Sequence, residues 1–162
     1  MRIEPWGAGD RELLAQCVGD PAMMVHLGGA ESPEKIDERQ ARYEIPGSHQ
    51  FKIVDEETGE GAGWVGYWER DDEVYEIGWA VIPAFQGRGI AAAATRLALE
   101  DARSVGGRRY VFAHPSVDNG PSNALCRKLG LELVGTTDYE YPPGNPLRCN
   151  DWRFDLSGQG RP

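Results

Sequence analysis

The chain has 162 residues, of which 40% are hydrophobic and 27% charged, and its formal net charge is -9. This length suffices for one domain with a real core, and the acidic balance argues against a nucleic-acid binder, which needs a basic face. No apolar run approaches a membrane span, the start Met1-Arg2-Ile3-Glu4-Pro5 lacks the character of a signal peptide, and Cys17, Cys126 and Cys149 form no Cys-x-x-Cys pair, so the sequence predicts a cytoplasmic protein with no membrane contact, no disulfide framework and no metal site.

Met1 to Trp6 reads as a short first strand. Asp10 is placed to cap a helix carrying Leu13, Leu14, Cys17 and Val18, and Gly19-Asp20-Pro21 breaks it. Ala22 to Leu27 is expected to form a further helical turn, ended by Gly28-Gly29. Ser32-Pro33 starts a charged helix that runs to about Tyr43, and Pro46-Gly47 is a turn. Strands follow at Gln50 to Asp55, Ala62 to Glu69 and Tyr75 to Ile82, joined by Glu56 to Glu60 and by a turn at Asp71-Asp72. They predict an antiparallel meander. A long helix over Arg88 to Val105 stops at Gly106-Gly107. Arg108 to Ala113 is a strand, Asn119 to Leu129 a helix with Gly130 at its C-terminal cap, and Leu131 to Tyr139 and Cys149 to Leu156 the last strands. One domain over residues 1–156 and a disordered tail over 157–162 are predicted.

The chain is organised around Gln86-Gly87-Arg88-Gly89-Ile90-Ala91, which joins a strand to a helix. Such a turn leaves several amide N–H groups unpaired at the helix start, where the helix dipole adds partial positive charge. Gly87 and Gly89 have no Cβ and let a ligand approach the main chain, and Arg88 adds a formal charge. The turn is therefore suited to phosphate or pyrophosphate. It has neither the Walker spacing nor that of the dinucleotide fingerprint. Its spacing, with Gln86, Gly89 and Ala91, resembles the acyl-CoA pyrophosphate loop of the GNAT superfamily of N-acetyltransferases. A second segment, Asn119-Gly120-Pro121-Ser122 followed by Leu125, Lys128, Leu129 and Gly130, resembles the Asn-x-x-Ser and Lys-Leu-Gly-Phe stretch of that superfamily, with Leu131 in place of the Phe. Asp20-Pro21 through Gly28-Gly29 and Ser32-Pro33-Glu34 resembles the first helices of the branch that holds the ribosomal-protein N-terminal (alanine) acetyltransferases.

The resemblance spans residues 1–156 and implies an α/β (α+β) fold of GNAT type. It would have a twisted, mostly antiparallel mixed sheet of about seven strands, splayed between strands 4 and 5 and flanked by about four helices. Acetyl-CoA, the implied cosubstrate, would enter the splay. Its pantetheine arm would pair with the backbone of Trp79, Val81 and Ile82, its pyrophosphate would lie on the amides of Gln86, Gly87, Arg88, Gly89, Ile90 and Ala91, and Asn119 and Ser122 would approach from the other side.

Acyl transfer to an amine needs a neutral amine, a donor for the oxyanion and a proton for the leaving thiolate. Glu76, ten residues before Gln86, is the candidate base, against the alternative of a plain strand-surface Glu. Glu73 is a weaker candidate, and the Val81 amide is the oxyanion donor by analogy. Many relatives carry a Tyr four residues after the Ser position as general acid. Here that residue is Cys126, either the acid or a small buried hydrophobe, with Tyr139, Tyr141 or water as substitutes. Trp64, Trp68 and Trp79 are core packing or an acceptor wall, and His114 lines the gap or a turn. The segments Met23 to Ser32 and Asp138 to Arg148 should flank the acceptor side. The acidic charge favours a cationic acceptor, a protein N-terminus or a small-molecule amine. A non-catalytic acyl-CoA sensor or partner module is the competing reading, and the sequence is compatible with a homodimer.

Overall fold

The computed structural model describes residues 1–70 and 72–158. Its elements are β1 (Arg2–Pro5), α1 (Arg11–Val18), α2 (Pro33–Tyr43), β2 (Gln50–Val54), β3 (Gly61–Glu69), β4 (Tyr75–Val81), α3 (Ile90–Val105), β5 (Tyr110–Ala113), α4 (Gly120–Lys128), β6 (Glu132–Glu140) and β7 (Pro146–Asp155). The seven strands form one mixed sheet in the order β1-β2-β3-β4-β5-β7-β6. Every neighbouring pair is antiparallel except β4 and β5.

The alternation of side chains along β3 and β4 builds two cores. Val65, Tyr67, Tyr75 and Ile77 lie buried on one face, against Ala94, Ala98 and Ala102 of α3. These small residues let the helix approach the sheet closely, and Tyr67 closes the contact by donating to Asp101 Oδ2 at 2.6 Å. The opposite face carries Trp64, which packs on Tyr43 of α2, and Tyr43 in turn meets Trp6 edge-on. Leu14 and Cys17 of α1 fill the space beneath.

Several local expectations are corrected. Asp10 occupies the N-cap position of α1, but its side chain makes no capping bond to the helix. Its carboxylate accepts from the Gly7 amide at 2.8 Å and from Lys52 Nζ at 2.9 Å, so it ties the helix start to β2 instead. The segment 22–27 forms turns, with amide bonds such as Met23 to Asp20 and Leu27 to Met24 reaching back three residues. Six residues between Pro21 and Gly28 are too few to propagate a helix once its costly first turn is made. Helix α3 begins at Ile90, not Arg88, because Gly87 and Gly89 take left-handed φ values of 77° and 75°. Ser32 does cap α2, accepting from the Lys35 amide at 3.3 Å. The predicted turn at Asp71-Asp72 includes Asp71, and the predicted tail includes residues 159–162; these lie outside the described residues.

The sheet opens between β4 and β5. Among the described residues only Tyr75 with Val111 and Glu76 with Phe112 pair across that boundary, after which the two parallel strands diverge. No helix among the described residues is long and apolar enough to cross a membrane.

Candidate active site

The edge of β4 that faces the opening can be read from its pairing with β3. Ile82 donates its N–H to Ala62 O at 2.9 Å, and the register runs without a shift from Gly63 opposite Val81 to Glu69 opposite Tyr75. In an antiparallel pair, alternate residues turn both main-chain groups to the same neighbour. Ala80, Gly78 and Glu76 therefore face β3, while Trp79 and Val81, beyond the last pairing with β5, present N–H and C=O to the gap. The expected pairing of Ile82 with a ligand is thus corrected, because its amide is already bonded to β3. The Val81 carbonyl is bound by Gln86 Nε2 at 2.8 Å, which leaves the Val81 N–H as the gap-facing donor nearest the turn.

At the end of β4 the chain turns through Pro83 to Phe85, and Gln86 N–H bonds back to Pro83 O at 3.2 Å. The amides from Gly87 to Ala92 have no acceptor among the described residues. A Cβ placed on Gly87 or Gly89 would meet nothing within 4 Å, so the space over the turn is open. Arg88 leans back over the Phe85 ring, 5.6 Å from its centroid, and pairs with Asp55 at 3.3 Å. Helix α4 follows β5 in the chain. Asn119 Oδ1 caps it by accepting from the Ser122 amide at 3.2 Å. Buried Asn123, which sequence reasoning missed, fixes this helix to β7: its Oδ1 accepts from Trp152 Nε1 at 2.8 Å and from Asn150 Nδ2 at 2.9 Å.

Glu76 is the last β4 residue paired with β5, at the base of the opening. Its side chain shares a face with Trp64, Trp68 and Gly78, the face away from α3. A Cβ at Gly78 would fall 3.1 Å from Trp64 and 3.2 Å from Trp68, so the tips of both rings converge over β4 beside Glu76. Trp79 lies on the other face, partly buried against the core. Burial raises the Glu76 carboxyl above the usual carboxylate range; His114 and Arg70 pull it down, Asp72 pushes it up and the Trp68 indole pulls it down.

A polar cluster surrounds this carboxylate. Arg70 Nη1 lies 3.7 Å from Glu76 Oε1 and donates to His114 Nε2. His114 Nδ1 meets Asp151 Oδ1 at 2.9 Å, Tyr139 donates to the same oxygen at 3.3 Å, and Thr137 donates to Asp151 Oδ2 at 2.7 Å. Sequence reasoning raised His114 and Tyr139 singly and missed Arg70 and Asp151. The one available signal was alternation, which puts Phe112 and His114 on one face of β5. Glu73, the weaker candidate, has a left-handed φ of 65° in the β3–β4 turn and makes no side-chain bond to this cluster. Cys126 is fully buried and burial pushes its thiol up to about 12, a poor donor for a thiolate whose reference value is about 8.5. Tyr141 accepts from Arg39 Nη2 at 2.9 Å instead of joining the cluster. Among the described residues no group of three or more His, Cys, Asp or Glu is arranged to hold a metal.

Residues 1–132 match the family model described as an acetyltransferase (GNAT) domain. Many solved structures share the fold, and three of them show its range. A putative acetyltransferase from Salmonella typhimurium, solved with its cofactor acetyl-CoA, superposes with a TM-score of 0.80 at 19% identity, covering 100% of this chain and 97% of that one. Spermidine N-acetyltransferase from Vibrio cholerae, in complex with CoA and spermine, gives 0.80 at 17% identity, covering 96% and 95%. Ribosomal-protein-alanine N-acetyltransferase from Brucella melitensis gives 0.78 at 18% identity, covering 96% and 99%.

Proposed function

The chain belongs to the GNAT acetyltransferase family, and we propose that it moves the acetyl group of acetyl-CoA directly to a primary amine. The observation that carries this reading is the free edge of β4, which runs from a partly desolvated carboxylate at Glu76 to an amide-rich turn at Gln86. An extended pantetheine arm suits the gap-facing groups of Trp79 and Val81 as an added strand. A pyrophosphate suits the amides that follow, Gly87 to Ala92, with Asn119 and Ser122 assigned to the opposite wall. Acetyl-CoA supplies the activated acyl carbon and its thiol leaving group.

In this reading Glu76 takes a proton, directly or through a water, as the amine nitrogen attacks the acyl carbon, and a gap-facing main-chain N–H of β4 donates to the developing oxyanion. The carbon–sulfur bond then breaks and the thiolate takes a proton. Tyr139 is the side-chain candidate for that donor. Burial first, and then the Asp151 carboxylate, raises its phenol, so it remains protonated at neutral pH. Cys126 is assigned to packing. The acceptor is a small-molecule amine or a protein N-terminus. The net charge of -9 favours approach of a cation, and the similar Vibrio cholerae and Brucella melitensis proteins are named for spermidine and for a ribosomal-protein alanine respectively.

The test is release of free CoA thiol with mass detection of the product, run over a panel of polyamines, arylalkylamines, N-terminal peptides and anionic amino acids. Cationic amines or peptides are expected to react. Reaction with anionic acceptors alone would remove the charge argument, and acetyl-CoA binding without turnover across the panel would favour a binding module. Gly89→Val probes the turn separately. A β-branched side chain at a φ of 75° is strained, and it would project into the open space that the phosphate is assigned. Calorimetry should show acetyl-CoA affinity reduced at least about tenfold, roughly 1.4 kcal/mol. Unchanged affinity would take the turn out of the site.

A further inference from the structure

We propose that Arg70 is a positioning residue that keeps Glu76 ionised and aimed at the gap, and so sets the pH below which the enzyme loses activity. The proposal rests on the assignment of Glu76 as base. Arg70 follows the end of β3, and its guanidinium is held from four sides. It donates to Asp72 Oδ2 at 2.7 Å, donates to His114 Nε2, lies 5.8 Å from the Phe112 ring centroid and stands 3.7 Å from Glu76 Oε1. The ring below it is fixed as well, because Phe112 stacks on His114 at 5.8 Å with an interplanar angle of 8°. His114 is in turn anchored on Asp151 at 2.9 Å. A cation held this firmly beside a partly buried carboxylate favours its charged form and limits its rotamers.

The charged and titratable groups that act on Glu76 are Arg70 and Asp72 from the β3–β4 turn, His114 from the end of β5 and Cys149 from β7, while Tyr139 of β6 and Asp151 of β7 stand behind His114. Arg70 and Asp72 act on Glu76 with opposite signs. Removing the cation should move the Glu76 midpoint up in pH, and removing Asp72 should move it down. On the acid limb of kcat/KM the active form is the carboxylate, so Arg70→Gln should be slowed roughly tenfold or more at acidic pH and should approach wild type as the pH rises. Arg70→Lys keeps the charge and should recover most of the loss. Asp72→Asn should extend activity to lower pH.

The experiment pairs pH–rate profiles of these variants with a carbon-13 NMR titration of the Glu76 carboxyl, assigned through Glu76→Gln. The inference expects the NMR midpoint and the kinetic inflection to rise together in Arg70→Gln and to fall together in Asp72→Asn, with acetyl-CoA affinity unchanged in both. A Glu76 midpoint that stays at its wild-type value in both variants overturns the positioning role. A midpoint that moves while the kinetic inflection does not leaves the pairing intact and removes Glu76 as base, and with it the catalytic part of the inference. If Arg70→Gln does not fold, Arg70→Met, which keeps the stem beside the Phe112 ring and removes the charge, carries the same test.

Discussion

Glu76→Gln should lower the acceptor-saturated rate by about 10²- to 10⁴-fold near neutral pH and leave acetyl-CoA affinity unchanged. The amide has nearly the shape of the carboxylate, so the aromatic floor of Trp64 and Trp68 keeps its packing while the proton acceptor is lost. Burial raises the Glu76 carboxyl, and the wild-type enzyme should therefore lose activity on the acid side at a pH above the ordinary carboxylate range. The sign follows from the role: a base works only when deprotonated, so the rate climbs as pH rises through the Glu76 midpoint. The variant lacks that limb and follows the acceptor's own titration. Its deficit should narrow at alkaline pH, where neutral amine arrives without help. Steady-state kinetics from mildly acidic to alkaline pH give the answer, and wild-type rates throughout would exclude Glu76.

The parts of the molecule that were legible in the sequence are those with short-range causes. The meander of β2, β3 and β4 follows from alternation and from turn residues, the cap of α2 from Ser32-Pro33, and the turn before α3 from two glycines at left-handed positions. The Glu76 surroundings were not legible, because their cause is topological. The parallel pairing of β4 with β5 and the return of β7 beside β5 bring together Arg70 and His114 across 44 residues and His114 and Asp151 across 37. No local pattern in an acidic chain singles out one aspartate as the partner of one histidine. The environment of Cys126 was open for the same reason: helical spacing leaves core and gap equally available, and only the packed structure shows the thiol fully enclosed. Asp10 shows local preference yielding to tertiary contact, since Lys52 and Gly7 take the carboxylate from the helix it precedes.

Arg39→Ala should destabilise the fold by about 3 kcal/mol, the lower end of what loss of one partner costs a buried ion pair. The Arg39 side chain is 16% exposed and that of Glu31 10%. The guanidinium holds Glu31 in a two-point grip, with Nε to Oε1 at 3.1 Å and Nη2 to Oε2. It also donates to the Tyr43 hydroxyl at 3.2 Å and to the Tyr141 hydroxyl at 2.9 Å. One residue of α2 thus joins the segment before α2 to the loop between β6 and β7, 102 residues away in sequence. The same two segments touch directly, since a Cβ at Gly28 would overlap Pro142. In Arg39→Ala the Glu31 carboxylate loses its fork while remaining largely shielded from water, and that uncompensated charge is the main cost. Arg39→Lys keeps the charge but not the planar geometry and should fall between. The double variant Arg39→Met with Glu31→Leu removes both charges and should regain most of the loss, which denaturant unfolding in a four-member cycle resolves as a coupling energy. A single-variant loss below about 1 kcal/mol would reduce the pair to the worth of a surface contact. Because these segments are the proposed acceptor boundary, the stable members of the cycle should also show a raised KM for the amine with acetyl-CoA affinity unchanged. A rise in both would point to general loosening of the domain instead.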